Sequence, residues 1–220
     1  MKTRIISILA LLLTMTQGAW ADTPTGRFDI CTSHPGSIRV YGWAYDPAHP
    51  DMQVNIHVYV FPNASCTGGT EVKAKDIGKT NYSRPDINEV HHISDTHGFN
   101  YYLDVSNLTA GTTYYIRVFA IDPIDGTGNP SLPLSDSDAT HYRTATIQAP
   151  YSVNYNANGG SGTPTAQKKC HEINLTLSST QPTRTGYTFN GWNTNSSGIG
   201  TNYASGATYS ANAGATLYAK

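Results

Sequence analysis

Three histidines and two aspartates lie close together in the sequence, and their side chains are of the types that bind metal ions. They are His91, His92, His97, Asp86 and Asp95. Imidazole and carboxylate groups are ordinary zinc ligands. However, the segment lacks the H-E-x-x-H spacing of zinc enzymes, and the adjacent His91 and His92 would face opposite sides of a strand. We therefore interpret the segment as a solvated loop and predict no metal site.

A second segment, Asp122–Asn129, is rich in oxygen ligands that suit calcium. Its aspartates do not follow the D-x-[DN]-x-[DN]-G spacing of an EF-hand loop. Glycine and aspartate are also typical of a turn between strands, so the segment needs no ion. We interpret it as a turn.

Residues suited to nucleophilic or hydrolytic catalysis do not occur in a recognised arrangement. The chain has no G-x-S-x-G elbow, and Ser161 lies between two glycines in a predicted turn. No pair of carboxylates stands out for glycoside hydrolysis. We predict a non-catalytic protein without a cofactor.

Aromatic and charged residues that suit binding occur at two places. Trp43 and Tyr45 lie in a strand-like run, and Arg84 and Asp86 lie in a polar loop. We interpret Trp43 as a core residue of a β-sandwich. The alternative is a sugar-stacking ring, if Trp43 is exposed beside Tyr41 or Tyr45. Arg84 and Asp86 either hold the loop through hydrogen bonds or take part in binding.

The N-terminus has the pattern of a secretory signal peptide. Lys2 and Arg4 precede an apolar run, Ile5–Met15, and Ala19-Trp20-Ala21 is a small-x-small cleavage site. We expect a signal peptide at residues 1–21 and a mature chain that begins at Asp22. The apolar run is too short to span a bilayer, and no later segment is apolar enough to do so. The sequence thus predicts an exported protein with no membrane span in its mature chain.

Charge and composition restrict the partners of this protein. The sequence has fourteen Lys and Arg residues and fifteen Asp and Glu residues. Without Lys2 and Arg4 the net charge is about −3, and no basic block is present. Nucleic acid and anionic membrane surfaces are therefore excluded as expected partners. Proteins and glycans remain as the expected classes of partner.

The three cysteines are Cys31, Cys66 and Cys170. Because export permits disulfides, we predict a bridge between Cys31 and Cys66 within the first domain. Cys170 is then a buried small residue, a free thiol or a site of intermolecular linkage, and we favour the buried residue.

The region 22–148 is composed of short strand-like runs separated by turns, with no sustained helical period. The runs are Ser37–Ala44, Gln53–Phe61, Glu71–Asp76, Gly98–Val105, Thr113–Asp122 and Tyr142–Ile147, with an edge strand near Phe28. In the second run, apolar residues alternate with polar ones, which is the period of a half-buried strand. The pattern predicts an antiparallel β-sandwich.

Motifs in this region also resemble known modules. Leu108-Thr-Ala-Gly-Thr-Thr-Tyr114 resembles the tyrosine corner of fibronectin type III domains, which implies a structural role for Tyr114. Gly42-Trp-Ala-Tyr-Asp-Pro47 and later segments up to Gly128-Asn-Pro130 look like an accessory module of bacterial secreted proteins. The resemblance implies a fibronectin III-like or Ig-like sandwich.

Residues 149–220 carry three blocks in order: Y-x-V-x-Y-x-A-N-G-G, P-T-R-T-G-Y-T-F-x-G-W and G-A-T-Y…T-L-Y-A. These blocks closely resemble the Listeria–Bacteroides repeat, the B-repeat of internalin-type bacterial surface proteins. The resemblance implies a β-grasp-like, non-catalytic module displayed outside the cell. We expect its aromatic residues to form the core of so small a module. They are Tyr155, Tyr187, Phe189 and Trp192.

The sequence as a whole predicts an exported bacterial cell-surface or envelope protein with two non-catalytic β modules. The leading hypothesis for its function is adhesion or protein interaction. The alternative is a carbohydrate-binding accessory protein for extracellular polysaccharide. An exposed aromatic row on one sheet of the sandwich would favour the alternative.

Overall fold

The computed structural model describes residues 23–94, 96–135 and 137–220. The predicted signal peptide, its cleavage point at Asp22 and the side chain of Asp95 lie outside the described residues. The described residues form two compact units. One contains 23–32, 39–103 and 112–146, and the other contains 33–38, 104–111 and 147–220.

The first region of the chain contains seven strands and a short helix among its described residues. They are β1 (Thr25–His34), β2 (Ser37–Tyr45), β3 (Asn55–Phe61), β4 (Lys73–Lys79), α1 (Pro85–His91), β5 (Gly98–Asp104), β6 (Thr113–Ile121) and β7 (Arg143–Thr146). One sheet has the order β1-β2-β5 and the other β4-β3-β6-β7. β3 pairs antiparallel with β4 and β6, and β6 pairs antiparallel with β7. This arrangement confirms the predicted β-sandwich and agrees with its fibronectin III-like resemblance.

Every second side chain along the strands is apolar and points inward, and these side chains form the core of the sandwich. In β3 the buried Ile56, Val58 and Val60 lie on one face, and β6 presents Ile116 and Val118 in the same way. Successive side chains of a strand point to opposite faces, so these residues share the interior. The other sheet contributes further buried side chains: Phe28, Ile38, Val40, Phe99 and Leu103.

A second apolar cluster covers the outer face of β3 and β6. Tyr59, Phe61 and Cys66 are buried there, and half-buried aromatic residues pack against them. These are Tyr115, Phe119 and Tyr142. The ring of Tyr59 meets that of Phe119 edge-on at 5.3 Å between centroids. The aromatic content of the chain is thus divided between the interior and the outer faces of the sheets.

The structure departs from the predicted Cys31–Cys66 disulfide, because all three cysteines are free. Cys31 lies in β1 of the three-stranded sheet, whereas Cys66 packs in the cluster outside the four-stranded sheet. The two sulfurs therefore belong to different environments. Cys170 is buried, as we favoured.

The segment that we interpreted as a solvated loop contains helix α1. Pro85 occupies its first turn, where the missing N–H costs nothing, and His92 ends it in the left-handed conformation at φ 55°. None of the residues of α1 is buried, and Val90 is 69% exposed. Its two apolar residues, Ile87 and Val90, form no buried face, and seven residues are too few for a sustained helical period in the sequence.

The repeat region has seven short strands among its described residues. They are β8 (Tyr151–Asn156), β9 (Gln167–Lys169), β10 (Leu175–Thr176), β11 (Trp192–Asn193), β12 (Asn202–Tyr203), β13 (Thr208–Tyr209) and β14 (Ala215–Ala219). Five of them form a sheet of order β12-β11-β14-β8-β9, and β10 pairs with β13. The first and last strands, β8 and β14, are parallel neighbours at the centre of the sheet. A mixed sheet of this order agrees with the expected β-grasp-like fold.

The core of the repeat is built around Trp192, which is fully buried. The rings of Tyr155 and Phe189 pack against its indole at 4.7 and 5.0 Å between centroids. Tyr187, which we expected in the core, is 69% exposed. The guanidinium carbon of Arg184 lies 4.3 Å from its ring centroid, so Tyr187 packs against a cation at the surface.

Candidate functional site

The outer face of β2 carries a row of aromatic and charged side chains. Ile38, Val40 and Ala44 are fully buried toward the interior of the sandwich. The alternate residues Arg39, Tyr41, Trp43 and Tyr45 therefore point to the opposite face. Arg39 Nε donates to Asn100 Oδ1 of β5 at 2.8 Å. This row is the base of the candidate site.

The segment that contains Tyr82 and Arg84 lies on this row. The backbone of Tyr82 forms an antiparallel bridge with Gly98, and the ring of Tyr82 meets that of Tyr41 edge-on at 5.6 Å. A Cβ at Gly98 would lie 2.6 Å from the Tyr82 carbonyl oxygen and 2.7 Å from Arg84 Cγ. The absence of a side chain at Gly98 thus lets the segment approach the sheet.

Arg84 connects this segment to the sheet. Its Nε and Nη2 donate to the two carboxylate oxygens of Asp86 at 2.9 and 2.8 Å, and its Nη1 donates to Asp29 Oδ2 at 2.8 Å. The guanidinium carbon lies 5.2 Å from the centroid of the Tyr41 ring. The hydrogen bonds to Asp86 are the main reason that the pKa of Arg84 is raised, and the same bonds lower the pKa of Asp86. Arg84 is therefore a fixed cation.

Trp43 and Tyr45 continue the row beneath helix α1. Their rings stack at 6.1 Å between centroids, and the imidazole of His91 lies 5.0 Å from Trp43. The hydroxyl of Tyr45 lies 3.2 Å from His91 Nδ1, and burial raises the pKa of this tyrosine. Trp43 is only 7% exposed. It is buried, but on the outer face of the sheet rather than in the core of the sandwich, where we had placed it.

We call this surface the aromatic face and define it by Tyr41, Trp43, Tyr45, Tyr82 and Arg84. All four candidate binding residues lie on or beside it, because Asp86 is paired with Arg84. We had not singled out Tyr82 or Arg39 as binding residues. The alternation of Arg39, Tyr41, Trp43 and Tyr45 was the signal that could have indicated the row.

The histidines do not converge on a metal site in the part of the chain that the structure describes. No group of three or more His, Cys, Asp or Glu side chains there could hold an ion. His97 is fully buried, and its Nε2 lies 2.7 Å from the Ser94 carbonyl oxygen. In the segment 122–129, Asp122 Oδ1 accepts from the backbone N–H groups of Ile124 and Asp125. This carboxylate therefore shapes the turn.

A groove in the repeat is the second candidate surface. It is lined by the turn at Gly160 and Ser161 and by the segment 181–189. Arg184 Nη1 donates to the Asn158 carbonyl oxygen at 2.9 Å, so Arg184 joins the two parts of the lining.

Among the described residues, no helix is long and apolar enough to cross a membrane.

The parallel pairing of β8 with β14 joins the first and last sequence blocks of this module around the buried Trp192. Residues 151–220 match the Listeria-Bacteroides repeat domain. The predicted resemblance is thereby confirmed for this part of the chain. The Listeria-Bacteroides repeat occurs in bacterial surface proteins, where it is a structural domain. A search of curated proteins and a search of solved structures found no match to the chain.

Proposed function

We propose that this protein is an exported, non-catalytic protein of the bacterial cell surface that binds another protein through the aromatic face. The repeat at residues 151–220 supports a place at the surface, and the signal-like pattern at residues 1–21 supports export. The repeat then acts as a spacer or as a second contact module.

The observation that carries this proposal is the rigid, partly exposed aromatic face. Tyr82 is 41% exposed, and Tyr41 and Tyr45 are half-buried. Arg84 is held by two carboxylates, so a partner would meet side chains that are already in place. Tyrosine and arginine are enriched in the energetically important centres of protein interfaces.

The same rings support the alternative function, carbohydrate binding. Tyr41, Trp43 and Tyr45 form an aromatic row on one sheet, and sugars stack on such rings. Trp43 is too buried to offer its face to a sugar. A glycan would therefore stack on the exposed ring of Tyr82, with Arg39 and Asn100 as hydrogen-bond partners.

Binding of the purified protein to two arrays, one of immobilised extracellular proteins and one of glycans, tests the proposal. The informative variant is Tyr82→Ser, because an exposed ring can be removed with little effect on folding. We expect saturable binding to a protein, weakened about tenfold or more in Tyr82→Ser. Glycan binding that is lost in the same variant would establish the alternative.

Ile199→Ser is the matched control. It removes an exposed apolar side chain from the repeat and leaves both the aromatic face and the groove of the repeat intact. Equal loss of binding in both variants, or unchanged binding in Tyr82→Ser, would show that the aromatic face is not the binding surface. Circular dichroism of each variant verifies the fold.

A further inference from the structure

Lys169 is a fully buried lysine in the last position of β9. Its Nζ donates to the Cys170 carbonyl oxygen at 2.6 Å and to Asn212 Oδ1 at 3.2 Å. Burial lowers the pKa of Lys169, and the charges of Cys170 and Glu172 oppose this shift only in part. Lysines are almost never fully buried unless their amine is paired, as it is here with these two oxygens. A desolvated lysine amine is also the form that acts as a nucleophile.

Both the oxygen and the nitrogen of the Asn212 side-chain amide form hydrogen bonds with Glu172, next to the amine of Lys169. Its Oδ1 accepts a second hydrogen bond, from the backbone N–H of Glu172 at 2.8 Å. Its Nδ2 donates to Glu172 Oε1 at 2.6 Å. The amide oxygen thus accepts from the backbone N–H of Glu172 beside the Lys169 amine, and the amide nitrogen donates to a carboxylate oxygen. Acyl transfer needs a donor at the developing oxyanion, which the N–H of Glu172 supplies. It also needs a group that carries a proton to the leaving nitrogen, which the Glu172 carboxylate can do once it has taken up a proton.

Glu172 adopts a conformation that supports this arrangement. Its φ is +57°, in the left-handed region that non-glycine residues seldom occupy. In this conformation both its backbone N–H and its carboxylate reach the same amide. Strained backbone of this kind tends to occur where a local geometry has a function.

We propose that Lys169 and Asn212 join in an intramolecular isopeptide bond, with Glu172 as the group that transfers the proton. In its deprotonated form, the amine of Lys169 attacks Cγ of Asn212, and the carbonyl electron pair moves to Oδ1, next to the N–H of Glu172. Glu172 takes a proton from the attacking nitrogen and delivers one to Nδ2. The Cγ–Nδ2 bond then breaks and the carbonyl re-forms. One amine and one primary amide become one secondary amide and one ammonia, without an oxidant or a cofactor.

The cross-link would tie two parts of the repeat together. Lys169 ends β9 at the edge of the five-stranded sheet, and Asn212 lies between β13 and β14. The two residues are 43 positions apart in the sequence. A covalent bond across such a separation restricts the unfolded chain, as a disulfide does. A repeat without a disulfide would gain stability in this way.

Mass spectrometry of the purified full-length protein, under denaturing conditions, tests the proposal. We expect the intact protein to be lighter than its sequence by one ammonia. Tryptic digestion should give a branched peptide in which Lys169 and Asn212 are joined and cleavage after Lys169 is blocked. A folded protein that yields only linear peptides, with unmodified Lys169 and Asn212, would overturn the proposal.

Two variants separate the chemistry from the fold. Glu172→Gln keeps the size of the side chain but cannot transfer the proton, so we expect a folded, linear chain without the loss of ammonia. An unchanged cross-link in this variant would exclude the role assigned to Glu172. Lys168→Met, at the neighbouring lysine, is the matched control and should still form the bond. Relative to the cross-linked protein, the melting temperature of Glu172→Gln should fall by roughly 15 °C.

Discussion

Single side chains with several partners hold the aromatic face together, and Arg84 is the main one. Its guanidinium joins Asp29 of β1 to Asp86 of helix α1 and also lies beside the ring of Tyr41. Arginine suits this position because its planar fork makes several directed hydrogen bonds at once. The face is therefore ordered before any partner arrives.

The free thiols give a prediction at the residue scale. Burial raises the pKa of Cys31 to about 12 and also raises those of Cys66 and Cys170. Only the thiolate is nucleophilic, so the folded protein should react slowly with iodoacetamide at neutral pH. In denaturant without a reductant, all three cysteines should be labelled, as counted by mass spectrometry. Labelling of a single cysteine would show instead that two of them form a disulfide.

Trp192 and Tyr187 provide a matched pair of aromatic substitutions. Trp192→Ala removes a fully buried ring and should lower the free energy of unfolding by about 3–5 kcal/mol. Tyr187→Ala removes an exposed ring and should change it by less than about 1 kcal/mol. Denaturant unfolding followed by circular dichroism measures both. Similar losses in the two variants would contradict the assignment of Tyr187 to the surface.

At the scale of elements, several parts of this fold have sequences that would not form a strand or a helix by themselves. β9 has the sequence Gln-Lys-Lys, which has little strand propensity, yet it pairs with β8 at the edge of the sheet. Helix α1 is equally weak by itself, since a helix of seven residues is unstable in water. Both elements form because the neighbouring strands hold them in place.

The approach of the Tyr82–Arg84 segment to β5 gives a prediction for Gly98. The substitution Gly98→Ala would place a Cβ 2.6 Å from the Tyr82 carbonyl oxygen, so the segment must shift. We expect a loss of about 1–3 kcal/mol in stability, together with weaker binding at the aromatic face. Denaturant unfolding and the array assay measure these effects. Ser83→Ala, an exposed change in the same segment, is the control and should alter neither quantity. A fully stable Gly98→Ala protein would argue against the close approach.

At the scale of the whole molecule, the chain combines a β-sandwich with a repeat of a kind that occurs in bacterial surface proteins. Only 13% of the residues are charged, and the sequence is rich in the uncharged polar residues Ser, Thr and Asn and in Tyr. This composition provides hydrogen-bonding groups with little net charge. It agrees with a protein that binds through local contacts rather than through long-range electrostatic attraction.

The signal-like segment at residues 1–21 predicts where the exported protein is cleaved. When the chain is produced in a bacterial host, N-terminal sequencing of the exported protein should begin at Asp22. The substitution Ala21→Leu places a large residue at the cleavage site and should block processing. Ala10→Leu, within the apolar run, should be processed normally. An exported protein that retains residues 1–21 would show that this segment is not a signal peptide.

Local patterns in the sequence were sufficient to predict the strands of the sandwich and the identity of the repeat. Period-two alternation, as in β3 and β6, and turn residues such as Asn158 and Gly159 are local signals, because each residue's neighbours along the chain define them. The three sequence blocks of the repeat are likewise recognised from consecutive residues. Trp43, Tyr45, Arg84 and Asp86 could be picked out one by one, but not as one surface.

The way in which distant residues combine depends on the packing of the folded chain. Arg84 meets Asp29 across 55 positions of the sequence, and Lys169 meets Asn212 across 43. The exposure of Tyr187, the separate environments of Cys31 and Cys66, and the burial of Lys169 depend on the same kind of packing. Burial is a property of the residues that surround a side chain, and those residues come from other strands. Sequence patterns describe neighbours along the chain, whereas binding and cross-linking depend on neighbours in space.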